Sequence, residues 1–102
     1  MTPPSSRLAS VLGRHSVDSA SFAHELAGER AAALGRAGQA MEAALANLHD
    51  GDPANREVLL KAAAGAVWIF FVQREACGFR DQKGVIAHYA IPKAVLARLG
   101  AR

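Results

Sequence analysis

Residues 62–72, AAAGAVWIFFV, decide the fold, because they place eleven apolar residues in a row without a polar position. A strand over Val67–Val72 is one interpretation, since these residues are β-branched or aromatic and follow Gly65. The Ala, Leu, Lys, Gln, Arg and Glu residues on both sides favour a helix instead. We therefore predict a central helix that is hydrophobic all round, and such a helix must be covered all round.

A long helix is predicted before this central helix, from about Asp18 to about His49, with Asp18 or Ser19 available as its N-cap. Its apolar residues recur at alternating spacings of three and four, typical of a helix that packs against another helix. They are Leu34, Ala37, Met41, Ala44 and Leu48. Three glycines lie inside the same helix, each costing about 1 kcal/mol relative to alanine. We expect close backbone approach at these glycines, which are Gly28, Gly35 and Gly38.

The two long helices are separated by a turn at residues 50–53, Asp-Gly-Asp-Pro. Asp52 can accept hydrogen bonds from free backbone amides, and Pro53 suits the first position of a helix. The central helix is predicted to run from this point to about Cys77. Gly78 can then adopt the left-handed conformation that ends a helix.

Two short helices are predicted after Gly78. Asp81 can cap the first, Gln82–His88, with Val85, Ile86 and Tyr89 facing inward. The Ile91-Pro92 step interrupts the chain, because a residue before proline is pushed toward extended geometry. Pro92 can open the second short helix, which would carry Val95, Leu96 and Leu99 before Gly100 ends it.

The predicted fold is all-α: an antiparallel hairpin of two long helices plus two short C-terminal helices, in a single domain at residues 17–102. Residues 1–16, rich in Pro, Ser and Gly, are predicted to form a flexible arm.

Successive residues from Trp68 to Phe71 point about 100° apart, so one partner helix cannot cover them all. A second copy could, and we expect a homodimer, the commonest kind of oligomer. The alanines and glycines of the first helix, from Ala27 to Ala46, offer another possible contact surface. The predicted dimer or core contacts are Trp68, Phe70, Phe71, Leu34, Met41 and Leu45.

The segment Val67–Gly100 resembles a family of small, functionally uncharacterised bacterial helical proteins. The residues that carry the resemblance are the apolar helix running into Gln73-Arg74-Glu75-Ala76-Cys77-Gly78, then Arg80-Asp81, then His88-Tyr89-Ala90-Ile91-Pro92. The resemblance implies an all-helical fold. It implies no activity and no catalytic residue.

The composition favours a cytoplasmic protein. No run approaches the roughly 20 apolar residues that span a bilayer, and no charged-then-apolar stretch opens the sequence, so we expect neither membrane insertion nor secretion. Cys77 is the only cysteine, which suits a reducing compartment.

Nucleic-acid binding is the alternative function. The net charge is +3, and residues 80–102 contain five basic side chains and one acidic side chain. The two short helices could form a helix-turn-helix that contacts nucleic acid through Lys83, Lys93, Arg98 and Arg102. Against this, the branched Ile86 would occupy the helix crossing, the tight turn would contain Ala90 instead of glycine, and the second helix has few side chains that hydrogen-bond to base edges. Nucleic acid is therefore a less favoured partner.

The remaining polar residues favour structural roles. Arg74 and Arg80 are placed to pair with Glu75 and Asp81, or to cap the central helix. Cys77 and His88 lack a group that would orient a nucleophile and its base, so we expect a packed thiol.

The sequence contains neither the His-x-x-x-His nor the Cys-x-x-Cys spacing of a closed metal site, and no glycine-rich phosphate loop. We expect neither catalysis nor a cofactor. The favoured function is a noncatalytic structural or protein-interaction module that self-associates, with an unidentified protein partner as a further possibility.

Overall fold

The chain is built from helices. The computed structural model describes the backbone of residues 4–100 and the side chains of residues 20–100. Within this part the helices are α1 (Pro4–Asp50), α2 (Arg56–Ala76), α3 (Gln82–His88) and α4 (Lys93–Leu96), with a 3-10 turn at Pro53–Asn55. The all-α prediction of two long and two short helices is confirmed. In the same residues, no helix combines the length and apolarity that crossing a membrane requires.

The predicted helix boundaries around α2 and α3 are confirmed, because they depend on local hydrogen bonds. The Asp52 carboxylate accepts a hydrogen bond from the Ala54 amide at 3.0 Å, just before α2. The Asp81 carboxylate accepts from the Gly84 amide at 3.3 Å and caps α3. Gly78 ends α2 with a φ of 90°, which a side chain would strain.

Two predicted boundaries were wrong. The helix α1 begins at Pro4 instead of near Asp18, because helical backbone continues through the position proposed as its cap. The helix α4 ends at Leu96 instead of Leu99, because the amides of Arg98 and Leu99 bond three residues back, as in tight turns. The proposed flexibility of residues 1–16 stays a prediction, and residues 1–3 lie outside the described part.

The core lies between α1, α2 and the C-terminal helices. Its fully buried side chains are Met41 of α1, Val67 of α2 and Val95 of α4. The Phe70 ring makes an edge-on contact with the Tyr89 ring, with centroids 5.8 Å apart.

The predicted close approach at the α1 glycines is confirmed only at Gly38. A Cβ placed there would lie 3.2 Å from Cε1 of Phe70. It was wrong at Gly28 and Gly35, because both positions are exposed and a Cβ there would meet nothing within 4 Å.

The helix α1 extends past the end of α2. The Cys77 thiol, at the C-terminal end of α2, lies 3.8 Å from the backbone oxygen of Arg30. All residues from 20 to 32 are exposed, including Phe22 and Leu26. Only the part of α1 after about residue 33 therefore contributes to the core.

Candidate interaction surface

The helix α2 exposes large apolar side chains on the side that its own chain leaves open. The exposed fractions are 69% for Val58, 51% for Trp68, 54% for Ile69 and 45% for Val72. The opposite side of the same helix is buried against α1 and α4. Scattered apolar residues are normal on a protein surface, but several on one helix face mark a contact site.

Six exposed residues of α2 follow a regular spacing of four and three along the helix. They are Val58, Ala62, Gly65, Ile69, Val72 and Ala76, and we call them the outer stripe. This spacing keeps all six on one side and is that of the contact seam between two paired helices. Every residue of the outer stripe is exposed. The outer stripe thus has the pattern of a helix seam without a partner helix inside the described chain.

Gly65 lies in the middle of the outer stripe, and nothing in the described part of the chain requires a glycine there. A Cβ at this position would meet nothing within 4 Å, and the backbone is ordinary α-helix. Glycine inside a helix is less stable than alanine by about 1 kcal/mol. The packing among residues 20–100 therefore does not account for this glycine, whereas a side chain approaching from outside would.

An open groove of about 770 Å³ runs beside the outer stripe. It lies between α2 and the segment that follows α4. Its lining residues are Glu57, Lys61, Ala64, Gly65, Trp68, Arg98 and Gly100. The groove shares Gly65 with the outer stripe, so a molecule that covers one also approaches the other.

Glu57 and Arg98 line the groove and form a bidentate ion pair. The guanidinium donates to the two carboxylate oxygens at 3.1 and 2.9 Å, and also donates to the backbone oxygen of Ala94 at 2.7 Å. The hydrogen bond from Arg98 lowers the pKa of Glu57, and the same bond raises the pKa of Arg98. Both groups thus stay ionised at neutral pH and neutralise each other.

Of the six predicted contact residues, five belong to the core of the chain. Met41, Phe70 and Phe71 are buried, and Leu34 and Leu45 are half-buried against them. Trp68 alone faces outward. Trp68 borders the outer stripe, whose six residues were not predicted as one surface although their spacing of four and three is visible in the sequence of α2.

The residues predicted to contact nucleic acid are dispersed. Lys83 is exposed on α3 and Lys93 on α4, while Arg98 is half-buried and bound to Glu57. Arg102 lies outside the described residues. The helix α4 has four residues and is about 6 Å long, which is short for a helix that reads a groove of DNA. Nucleic-acid binding stays an untested prediction.

The polar cluster at the end of α2 joins this helix to α3. The Arg74 guanidinium lies near the rings of Phe70 and Phe79, 5.9 and 5.3 Å from their centroids, and donates to the backbone oxygen of Asp81 at 3.1 Å. Glu75 accepts a hydrogen bond from Gln82 at 3.4 Å. In the described residues, the predicted ion pairs of Arg74 and Arg80 with Glu75 and Asp81 do not form.

The residues considered for nucleophilic or metal chemistry have ordinary surroundings. Cys77 is half-buried with its thiol against the backbone of Arg30, and the His88 ring packs edge-on against Tyr89. Among the residues that the structure describes, no three His, Cys, Asp or Glu side chains come together as metal ligands would.

Comparison with known proteins identifies a family. A family model described as "Family of unknown function (DUF6665)" matches residues 7–102. No curated protein and no solved structure matches the chain. The resemblance over Val67–Gly100 to an uncharacterised family is thus confirmed, and the match extends far toward the N-terminus.

Proposed function

We propose that this chain, which belongs to the DUF6665 family of unknown function, is a noncatalytic interaction module that forms a homodimer through the outer stripe of α2. The observation that carries the proposal is the regular row of exposed apolar residues, with Val58, Ile69 and Val72 each between 45% and 69% exposed. Covering such a row removes apolar surface from water, which is the main driving force of association.

We also infer that α1 and α2 form an antiparallel hairpin. Three contacts support this arrangement, since residues progressively later in or just after α1 meet residues progressively earlier in α2 and its C-terminal end. Arg30 approaches Cys77, Gly38 approaches Phe70, and Gly51 approaches Leu59. In such a hairpin the outer stripe lies on the side of α2 remote from α1, where a second copy has access.

The size of the outer stripe sets the expected affinity. The 21 residues of α2 make a helix about 32 Å long and about 10 Å wide, and therefore offer about 300 Å² of contact face per copy. Stable interfaces bury about 800 Å² per partner, so this one is small. We expect a reversible dimer with a Kd of about 10–100 µM.

The noncatalytic part of the proposal is supported by the polar groups beside the outer stripe. Glu57 and Arg98 neutralise each other, and Lys61 alone adds a further charge to the groove lining. This arrangement offers no acid and base placed to move a proton through a bound molecule. A reducing compartment such as the cytoplasm is the proposed location, supported by the single, unpaired Cys77.

The test is the solution mass over a dilution series from about 1 µM to about 1 mM, measured by light scattering after size exclusion. We expect the mass to rise from 10.7 kDa toward twice that value. Trp68 is the only tryptophan, so its emission should shift to shorter wavelength over the same range as the ring leaves water.

Two matched variants locate the surface. Ile69→Glu places a carboxylate in the outer stripe and should keep the protein monomeric throughout the series. Phe22→Glu changes an equally exposed apolar residue of α1 and should leave the dimer intact. A wild-type chain that stays monomeric would overturn self-association. A dimer abolished by Phe22→Glu but not by Ile69→Glu would overturn the choice of α2.

A further inference from the structure

We infer that two copies pair their α2 helices antiparallel about a point between residues 67 and 68, with Lys61 opposite the partner's Glu75 and Gly65 receiving the partner's Ile69. This inference rests on the proposed self-association and specifies the register of the second copy. It draws on three features of the exposed side of α2: the order of residue sizes, the position of the charges and the vacancy at Gly65.

The order of sizes along the outer stripe favours the antiparallel register. Branched and small residues then face each other in every layer, because the first position of the outer stripe meets the last. The facing pairs are Val58 with the partner's Ala76, Ala62 with the partner's Val72, and Gly65 with the partner's Ile69. Alternating large and small residues across a contact fills it without voids.

A parallel register packs poorly with the same residues. Each residue would face its own copy, so that Gly65 would meet the partner's Gly65 and Ala62 the partner's Ala62. Those layers would leave gaps, which lose the attraction between packed atoms. The antiparallel register also accounts for Gly65. A Cβ at this position would meet nothing within 4 Å in its own chain, and the partner's Ile69 fills this open space.

The charges beside the outer stripe favour the same register. Lys61, Trp68 and Glu75 are seven residues apart and line one edge of it, and both charged side chains are exposed. When the helices pair in the antiparallel register, each lysine lies opposite the partner's glutamate. Charges at these flanking positions set the orientation of paired helices. A parallel pair would give Lys61 no acidic partner on the facing helix.

Charge reversal tests the register. Lys61→Glu places two glutamates opposite each other at both ends of the contact, and Glu75→Lys does the same with lysines. We expect each change to raise the Kd of the dimer about tenfold. The double variant Lys61→Glu/Glu75→Lys should return to within about threefold of the wild type. The differences should shrink in high salt.

The controls separate charge from fold. Lys83→Glu and Glu42→Lys make the same charge changes at exposed positions outside α2 and should leave the Kd within about twofold. Lys61 also attracts Glu57 of its own chain. That attraction is lost in Lys61→Glu and in the double variant alike, so recovery from Lys61→Glu to the double variant reports the contact between copies.

A second variant tests the vacancy at Gly65. Gly65→Leu favours the helix of the single chain but collides with the partner's Ile69, and should raise the Kd at least about tenfold. Gly28→Leu fills an equally open helical position of α1 and should not. Tighter association of Gly65→Leu would instead show that the partner's Gly65 faces it, and would overturn the antiparallel register.

The outcomes distinguish the register from the proposed function. If the wild type dimerises and Ile69→Glu abolishes the dimer, but the charge variants have no effect, the register is wrong and self-association stands. If the wild type stays monomeric to about 1 mM, the register and the proposed self-association are both wrong.

Discussion

The two sides of α2 are similarly apolar, yet the chain treats them differently. The inner side buries Val67 and Phe70 against α1 and α4, whereas the outer side leaves Ile69 and Val72 about half exposed. Ile69 and Phe70 are neighbours in the sequence, so the difference comes from direction and not from hydrophobicity. The inner side therefore stabilises the fold of the single chain, whereas the apolar outer side stays in contact with water.

The largest expected effect on stability comes from truncating Phe70, compared with truncating its neighbour Ile69. Phe70→Ala should lower the free energy of unfolding by about 3–5 kcal/mol, since it empties a buried site between α1, α2 and Tyr89. Ile69→Ala should change the stability of the monomer by less than about 0.5 kcal/mol. Urea unfolding followed by circular dichroism, at a concentration where the chain is monomeric, measures both.

The order of the two variants should reverse when the Kd of the dimer is measured. Ile69→Ala should weaken the dimer clearly while its unfolding curve stays close to that of the wild type. Equal losses of monomer stability in the two variants would contradict the distinction between the two sides of α2.

The sequence predicted the elements around α2 because their signals are local. The apolar run of residues 62–72, the caps at Asp52 and Asp81 and the left-handed Gly78 each act within a few residues. The sequence could not show which side of α2 its own chain covers, because this depends on where α1 lies.

Contacts between residues far apart in the sequence were not predicted for the same reason. Arg98 entered the sequence analysis only as a nucleic-acid contact of the alternative function, and its ion pair with Glu57, 41 residues earlier in the chain, was not predicted. No local pattern announces this pair. The start of α1 was placed at Asp18 because a capping residue was taken as a boundary, although the helix begins at Pro4.

An intermediate effect is expected at two positive φ angles that lie away from the outer stripe. Ala90 has a φ of 51°, which a side chain strains, so Ala90→Gly should stabilise the chain by about 0.5–1 kcal/mol. Gly78 has a φ of 90°, so Gly78→Ala should destabilise it by about 1–2 kcal/mol. Thermal unfolding of the monomer measures both.

These two variants also test whether folding and association are independent of each other. Both positions lie outside the outer stripe, so the Kd of the dimer, measured where each variant is fully folded, should match that of the wild type. A change in Kd that follows the change in stability would mean that the α2 contact depends on the C-terminal helices.

The smallest expected effect concerns the ion pair at the border between the two sides of α2. Arg98 lowers the pKa of Glu57 in the folded chain. A carboxyl group with a lowered pKa stabilises the fold above its unfolded pKa, and this contribution is lost as the pH falls through the folded pKa. Glu57→Gln should therefore melt at a slightly lower temperature than the wild type at pH 7. The two melting temperatures should converge as the pH falls below about 4.5, because the wild-type carboxyl group also becomes neutral.

The control is Glu42→Gln, which changes an exposed residue without an ion pair in the described part of the chain and should show no such convergence. A difference between Glu57→Gln and wild type that stays constant from pH 7 to about pH 3 would mean that the side chain acts through packing in the groove and not through its charge.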